Sequence, residues 1–314
     1  MEYAKPENFE HVSVMTGEVV RLMGLAPAGV VVDCTVGGSG HSRALLEMFD
    51  NVQIVALDRD PAAVAIAEER LRPYGTRARV VHSPFSELSK VLRDLGIEHV
   101  SGLLVDLGVS SHQIDSAERG FSFRTLGPLD MRMDPTSGDS AEELLARVGE
   151  KELAQAIARF GEERFARRVA RAIVAERPKD TLTLANLVRR VVPKSKDGLD
   201  PATRTFQGIR MLVNRELDEL QMWLEDVPDL LIPGGIAVAI SFHSLEDRAV
   251  KRAFRSAAHG CTCPPRLPMC ACGRLPTLEV LTPRALRPAV DELADNHRAR
   301  SARLRAARKL GETA

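Results

Sequence analysis

Four short apolar runs, each followed by a helical stretch, constrain the fold of this chain more than any other feature. The runs occupy residues 29–33, 53–58, 78–82 and 101–106. Runs that are apolar almost throughout are typical of strands in a parallel sheet that helices cover on both faces. Helices are predicted between them at about 41–49, 61–71 and 86–95. This alternation predicts an α/β fold with a doubly wound parallel sheet.

The alternation stops after the fourth strand. From about 113 to 214 the sequence offers helical stretches and no strand longer than a few residues. A long helix is then predicted over 205–224 and a further buried strand over 236–242, so the sheet resumes. The tail offers a final strand pair, although around 301–307 helix and strand fit the pattern equally. We therefore expect one discontinuous domain, 1–112 with 215–314, interrupted by an all-helical domain at 113–214.

Charge is unevenly distributed along the chain. The formal net charge is zero, from 43 basic and 43 acidic residues. Residues 147–215 nevertheless contain 16 lysines and arginines against 8 acids, and 296–310 contain six basic residues and no acidic one. Basic patches on a neutral chain indicate a polyanionic partner. Solvated helix faces would give the same counts, and charge alone does not separate the two interpretations.

Composition indicates a globular protein of the cytoplasm. Apolar residues make up 44% of the chain and charged residues 27%. The longest apolar stretch, 230–240, is far shorter than the roughly 20 residues of a membrane span. The first twenty residues carry four glutamates and no apolar signal segment. Five cysteines without such a signal are typical of a reducing compartment.

A glycine-rich turn follows the first strand, with the sequence Asp-Cys-Thr-Val-Gly-Gly-Ser-Gly-His over 33–41. Such a turn lets the backbone approach a ligand closely. The dinucleotide fingerprint requires a third glycine where Arg43 stands, which argues against a cofactor that contains a pyrophosphate. Asp58 ends the second strand, and its carboxylate is suited to accept hydrogen bonds from both hydroxyls of a ribose. Together the turn and Asp58 favour an adenosine-bearing cofactor over a purely structural turn.

Two further residues lie where strands end at the same edge. Phe85 follows the third strand and offers a cover for an adenine ring, although a single phenylalanine is more often part of a core. Asp106 ends the fourth strand, and a carboxylate at a buried strand end needs a partner. Open α/β sheets bind ligands at this edge. We therefore expect a nucleophile or a cofactor amine beside Asp106.

The sequence resembles the bacterial small-subunit ribosomal RNA (cytosine-N4) methyltransferases, the RsmH (MraW) family, over nearly its whole length. The matching segments are 33–42, 57–61, 106–111, 118–123, 127–134, 161–166, 202–207, 241–248 and 298–301. The resemblance implies a Rossmann-like sheet that binds S-adenosylmethionine (SAM), with the inserted helical domain recognising RNA. The cofactor-binding residues that it implies are Gly38, Ser39, Gly40, His41, Asp58, Phe85, Asp106 and Gln113. Positions 13, 112 and 208 depart from the family pattern without removing a group that the chemistry needs.

The resemblance also implies the acceptor, the exocyclic N4 of a cytidine in the decoding region of 16S ribosomal RNA. Because this amine attacks the donor methyl directly, no cysteine nucleophile is required, whereas methylation of carbon 5 would need one. Asp106 is the predicted catalytic residue. The expected partner is 16S ribosomal RNA or the small subunit, with a homodimer left open. Two rivals remain: a non-catalytic RNA-binding protein that retains SAM, and a nicotinamide-dependent oxidoreductase.

Two further motifs have plainer interpretations. Ser244 with Asp247 is predicted to cap a helix rather than to act in acid–base catalysis, and His243 to be a packed residue at the edge of the sheet. Two Cys-x-Cys pairs, at 261–263 and 270–272, could supply four zinc ligands. Structural zinc sites usually space each pair by two to four residues, so the spacing favours a metal-free loop and no metal is expected.

Overall fold

The computed structural model describes residues 13–194, 198–261, 263 and 271–311. The chain forms two compact units, one of Met1–Gly108 with Asp218–Ala314 and the other of Val109–Leu217. These divisions lie a few residues from the boundaries that the sequence indicates. Of the helices in the described ranges, none is long and apolar enough to cross a lipid bilayer.

The first unit contains a seven-stranded sheet and the helices that connect its strands. Its strands are β1 (Gly29–Asp33), β2 (Val52–Asp58), β3 (Ala78–His82), β4 (Val100–Asp106), β5 (Leu231–Ser241), β6 (Leu278–Val280) and β7 (Arg303–Lys309). Its helices are α1 (Thr16–Met23), α2 (Gly40–Met48), α3 (Pro61–Leu71), α4 (Leu88–Asp94), α12 (Ser244–His259) and α13 (Val290–Asp295).

The strand order is β3-β2-β1-β4-β5-β7-β6, with β1 to β5 parallel and β7 antiparallel to both neighbours. The predicted α/β fold with a Rossmann-like sheet is confirmed. The tail supplies the strand pair β6 and β7, which resolves the ambiguity around 301–307. In the central strands the residues are almost all buried, as in β4, because helices lie over both faces of the sheet.

The strand order reverses between β1 and β4, and this switch point positions the candidate site. Just after β1, the Cys34 N–H donates to the Leu104 carbonyl of β4 at 2.8 Å. Two residues later, the Val36 N–H donates to the Leu57 carbonyl of β2, also at 2.8 Å. The chain thus passes from one neighbour to the other, and the carboxyl ends of the strands separate there. Open α/β sheets bind their ligands in such a crevice.

The second unit consists of helices joined by loops. They are α5 (Ser111–Asp115), α6 (Ala141–Arg147), α7 (Glu150–Gly161), α8 (Ala166–Glu176), α9 (Thr181–Val191) and α10 (Ala202–Asn214). Its apolar core contains Leu153, Val169, Ile173 and Phe206, each at most 4% exposed. The helices α7 and α10 approach so closely that a Cβ on Gly161 would lie 2.1 Å from the Arg204 carbonyl oxygen.

The single helix predicted over 205–224 is wrong. The structure has two helices there, α10 and α11 (Glu216–Leu230), which are separated at Arg215. Arg215 has a φ of 51°, in the left-handed region that ends many helices. Glycine or asparagine usually marks this position, so the arginine gave no signal of a break.

A buried asparagine fastens the end of α10 to the loop before α6. The Asn214 side chain accepts a hydrogen bond from the Met133 N–H at 2.7 Å and donates to the carbonyls of Met131 and Arg210 at 2.7 and 2.8 Å. Replacement by alanine would leave a buried N–H and a buried carbonyl without these bonds. We expect Asn214→Ala to lower the free energy of unfolding by about 2–4 kcal/mol in urea titrations. Asn186 is exposed, so Asn186→Ala is the control and should change the free energy of unfolding by less than about 0.5 kcal/mol. Equal effects of the two substitutions would show that the buried hydrogen bonds of Asn214 do not stabilise the fold.

Candidate active site

The glycine-rich turn between β1 and α2 has the backbone conformation that its sequence predicts. Gly37 has a φ of 45° and Ser39 a φ of 66°, so the chain twice enters the left-handed region. The Arg70 guanidinium donates to the Gly38 carbonyl at 2.8 Å and braces the turn from α3. Ser39 is the N-cap of α2 but makes no capping hydrogen bond with its side chain. The first-turn N–H groups of α2 therefore remain available to a ligand.

Asp58 lies at the end of β2, beside this turn. Its two carboxylate oxygens accept hydrogen bonds from the backbone N–H groups of Gly37 and Asp60, each at 2.9 Å. Burial raises the pKa of Asp58 to about 6, although these N–H groups oppose the shift. Each oxygen has a second lone pair, so the carboxylate can still accept from two ribose hydroxyls.

Asp33, at the end of β1, holds the turn in place. It is 1% exposed, accepts from the Ser42 hydroxyl at 2.7 Å, and accepts from the Thr35 N–H at 3.3 Å. Burial raises the pKa of Asp33 despite these bonds. Its hydrogen bonds are all local, so we assign it a structural role and an electrostatic effect on its neighbours.

Asp106 lies across the switch point from Asp33, at the end of β4. Its backbone N–H donates to the Thr35 hydroxyl at 2.7 Å. Its pKa is raised well above the ordinary range, first by burial and then by the negative charges of Asp33 and Glu246. Among the residues that the structure describes, its buried Oδ1 has no hydrogen-bond partner. A buried polar atom in this state usually marks a functional position.

The site has the chemistry that SAM requires. Ser39 Oγ is also buried and, within the described part of the chain, lacks a hydrogen-bond partner. Two unsatisfied oxygens thus lie on the turn after β1 and at the end of β4. SAM carries a positive sulfonium and a positive ammonium group, and a cation would relieve the repulsion among the buried acids. The residues present therefore fit this cofactor.

Three other predicted cofactor residues have different surroundings. The His41 ring is buried and its Nε2 lies 2.9 Å from the Val14 carbonyl oxygen, so its backbone is the part left for a ligand. Phe85 is half-buried at the start of a short helical turn after β3. Gln113 lies in the second unit, where its side chain accepts from the Ser110 N–H in a capping box. Their contacts with SAM remain proposals.

Glu246 is a further acid whose charge acts on Asp106, and the sequence analysis did not identify it. It is 2% exposed and accepts a hydrogen bond from the Phe242 N–H at 3.0 Å, and its carboxylate lies 2.9 Å from His243 Nε2, an ion pair when that ring is protonated. The predicted cap by Ser244 is wrong, since His243 is the N-cap and its ring accepts from the Glu246 N–H. Asp247 instead pairs with Arg303 and Arg305 at 3.0 and 2.7 Å. The position of Glu246 in the first turn of the helix that follows β5 was the only signal.

Comparison with known proteins identifies the family. The sequence matches the MraW methylase family over residues 8–310. The chain belongs to the MraW methylase family. It is 50% identical over 309 residues to the "Ribosomal RNA small subunit methyltransferase H" of Anaeromyxobacter sp. strain K, covering 96% of this chain and 99% of that protein. The protein of the same name from Geobacter sulfurreducens is 49% identical with the same coverage.

Membership confirms the resemblance and the prediction of SAM as the methyl donor. It excludes the nicotinamide-dependent oxidoreductase. Among solved structures, a putative rRNA-methylase from Clostridium thermocellum is similar with a TM-score of 0.44 and 10% identity, covering 96% of this chain and all of that one. The assignment of individual residues to the cofactor remains our proposal, and two predictions test it.

The first prediction concerns the affinity of this MraW methylase for SAM. Asp58→Ala is expected to weaken binding by about 1.5–3 kcal/mol, because hydrogen bonds to a charged group are lost. Isothermal titration calorimetry measures this directly. Unchanged affinity would show that Asp58 does not bind the ribose.

The affinity for SAM should also depend on pH. Because the pKa of Asp58 is about 6, protonation of the unliganded protein competes with SAM below that pH. We expect a constant affinity above about pH 7 and a loss of up to about tenfold per pH unit below about pH 6. Asp58→Asn cannot titrate, so its affinity should be weak at every pH with a flatter profile. A parental affinity that stays constant down to pH 5, or an Asn variant with the parental slope, would contradict this assignment.

Proposed function

We propose that this protein transfers a methyl group from SAM to the exocyclic N4 of a cytidine in the decoding region of 16S ribosomal RNA. The curated relatives carry the name of small-subunit ribosomal RNA methyltransferases. The observation that carries the proposal is Asp106, a buried carboxyl group with an unsatisfied oxygen at the switch point of the sheet. It offers an acceptor to an amine placed there.

The amine needs such an acceptor because its lone pair is delocalised into the cytosine ring. When SAM is bound it supplies an electrophilic methyl group on a sulfonium. A hydrogen bond from N4 to Asp106 Oδ1 would orient the amine and favour a pyramidal nitrogen. The raised pKa of Asp106 also makes its carboxylate a better proton acceptor than an ordinary aspartate. Fixed orientation of this kind supplies several kcal/mol of a barrier, up to about 7–11 in intramolecular reactions.

Methylation of cytosine carbon 5 is disfavoured by the state of the nearest cysteine. Cys34 is 1% exposed, and burial raises the pKa of its thiol far above neutrality. A thiol in this state supplies no thiolate nucleophile at neutral pH. No other cysteine that the structure describes follows β1 or β4 at the switch point.

We assign RNA recognition to the second unit, and its exposed arginines support this. Arg164, Arg167 and Arg168 are exposed at the start of α8. Arg168 stacks over the Phe165 ring at 5.0 Å, and that ring is 40% exposed. Arginines beside an exposed aromatic ring are suited to phosphates and to a stacked base. Arg210, in contrast, forms a bidentate pair with Glu216 at 2.8 Å for both bonds, so we do not expect it to contact RNA.

The first unit contributes a second basic surface. A pocket at the N-terminus of α12 is lined by Arg287, Arg300 and Arg303 together with Ser244 and Ser301. The helix N-terminus adds a partial positive charge to the three guanidinium groups. We propose that this pocket contacts the RNA backbone through Arg287 and Arg300, since Arg303 already pairs with Asp247.

The proposed function is tested with small ribosomal subunits from cells that lack this activity. The subunits are incubated with the protein and SAM labelled on its methyl group. We expect the label in 16S ribosomal RNA, and none when subunits from wild-type cells, already modified, are used. Tight binding of RNA without transfer would support the rival, a non-catalytic protein that retains SAM.

A further inference from the structure

Three cysteine side chains meet beyond the C-terminal end of α12. The Sγ atoms of Cys261, Cys263 and Cys272 all lie within 4.8 Å of one another. Those of Cys261 and Cys272 are 3.8 Å apart. Cys270, the remaining member of the two Cys-x-Cys pairs, and the prolines at 264, 265 and 268 lie outside the described residues.

The separation of the sulfur atoms matches a metal site and not a disulfide. Zinc binds thiolates at about 2.3 Å, and tetrahedral geometry then places two sulfur atoms about 3.8 Å apart. A disulfide requires about 2.05 Å. No disulfide joins the cysteines that the structure describes. The distance between Cys261 and Cys272, a thiol hydrogen bond in the metal-free protein, therefore fits one edge of a tetrahedral zinc–thiolate site.

The backbone around the three cysteines holds the two chain segments together. The Thr277 N–H donates to the Ala257 carbonyl at 2.9 Å, so the returning chain is bonded to α12. Gly260 has a φ of 69°, and a Cβ there would lie 2.5 Å from the Leu275 carbonyl carbon. The Ala271 N–H donates to Cys263 Sγ at 3.3 Å. Such a hydrogen bond stabilises a thiolate and orients it, as groups around bound metals commonly do.

We propose that Cys261, Cys263 and Cys272 bind a zinc ion. The single residue between the cysteines of each pair favours a metal-free loop, because a Cys-x-Cys pair forms a small chelate ring. The structure nevertheless brings both members of the first pair to Cys272, across the gap between the two segments. On binding, each thiol releases its proton to solvent and the thiolate forms a bond to Zn²⁺, with no change of oxidation state. Sulfur ligands select zinc over magnesium or calcium.

The ion has a structural role. It links the end of α12 to the chain that leads to β6, at the edge of the sheet where β7 pairs with both β5 and β6. None of its ligands follows a strand end at the switch point, so we assign it no part in methyl transfer. Loss of the ion should lower thermal stability and leave the transfer reaction near its parental rate.

The test is the zinc content of the full-length protein, purified without chelator and measured by elemental analysis. We expect about one zinc per chain in the parent and less than about a tenth of that in the double variant Cys261→Ser with Cys272→Ser. Cys34→Ser is the control, because it removes a buried thiol outside the cluster and should retain the zinc. A zinc-free parent, or a double variant that still binds zinc, would overturn the proposal.

A second measurement remains informative if the double variant does not fold. The parent is stripped with a chelator under reducing conditions, and its reactive thiols are counted before and after addition of zinc. We expect zinc to protect at least three thiols, and cobalt in its place to give a thiolate charge-transfer band. Unprotected thiols without such a band, or a Cys261–Cys272 disulfide found by mass spectrometry in the purified protein, would contradict the proposal.

Discussion

Replacing Asp106 with alanine is expected to remove most methyl transfer while leaving the fold intact. Acceptance of a proton or hydrogen bond by a positioned side chain contributes typically 10²–10⁴-fold to a rate, and we expect turnover to fall by about that factor. The unsatisfied Oδ1 atom is the reason, since no other contact of the described residues uses it. Single-turnover transfer to small ribosomal subunits at saturating SAM measures the loss.

The thermal stability of Asp106→Ala shows whether its loss of turnover comes from a disturbed fold. Burial and the charges of Asp33 and Glu246 raise the pKa of Asp106, so the folded state holds a proton that the unfolded state releases as pH rises. The carboxyl group therefore costs stability above its ordinary pKa. Alanine removes this cost, so the unfolding temperature should change by no more than a few degrees. The increase should be larger at pH 8 than at pH 5. Near-parental turnover would eliminate the catalytic role.

Asparagine at the same position distinguishes acceptance of a hydrogen bond from acceptance of a proton by the carboxyl group. Asp106→Asn retains an acceptor oxygen but cannot take a proton, so at saturating SAM it should turn over faster than the alanine variant. Equal losses of SAM binding and turnover in both variants would reduce Asp106 to a cofactor contact.

The second large effect is expected at the three exposed arginines around the N-terminus of α8. Replacing Arg164, Arg167 and Arg168 together by alanine should weaken RNA binding at least about tenfold at low salt. Each phosphate contact releases counterions from the RNA and so favours binding, and the variant makes fewer such contacts. The slope of log affinity against log salt should become shallower by about 0.7 for each contact with single-stranded RNA. SAM affinity should not change. Fluorescence anisotropy across a range of salt concentrations measures both quantities.

Arg190→Ala is the matched control for this triple variant. Arg190 lies in the same unit and carries the same charge, but it already pairs with Glu176 at 2.6 Å. Its replacement should change RNA affinity by less than threefold. A triple variant that retains the parental affinity and salt slope would show that RNA binds elsewhere, and the pocket with Arg287, Arg300 and Arg303 would be the next surface to test.

Much of the sheet could be predicted because its central strands are almost fully buried. The central strands are apolar runs, and the glycine turn and Asp58 lie at strand ends, as the sequence predicts. That they bind a nucleotide stays a prediction. The break at Arg215 gave no such signal, because an arginine seldom takes the left-handed conformation that the structure gives it. The cap on α12 depends on a histidine ring, which the preference for Ser, Thr, Asp or Asn does not anticipate.

Contacts distant in sequence were the hardest to predict. The pKa of Asp106 depends on Asp33 and Glu246, which are 73 and 140 positions away in the sequence. Spacing alone argued against zinc, whereas the fold brings Cys272 to Cys261. In each case local pattern identified the residue, and only the folded chain showed its neighbours.

The position of the new methyl group in the product distinguishes transfer to N4 from the other methylations of cytidine. Small ribosomal subunits from cells lacking the activity are methylated with SAM carrying a deuterated methyl group, and the 16S ribosomal RNA is digested to nucleosides. Mass spectrometry then separates the three isomers in which cytidine is methylated on N4, on carbon 5 or on the ribose. We expect the label in N4-methylcytidine, and we expect it to disappear with Asp106→Ala. Label in 5-methylcytidine or in the ribose-methylated isomer would contradict it.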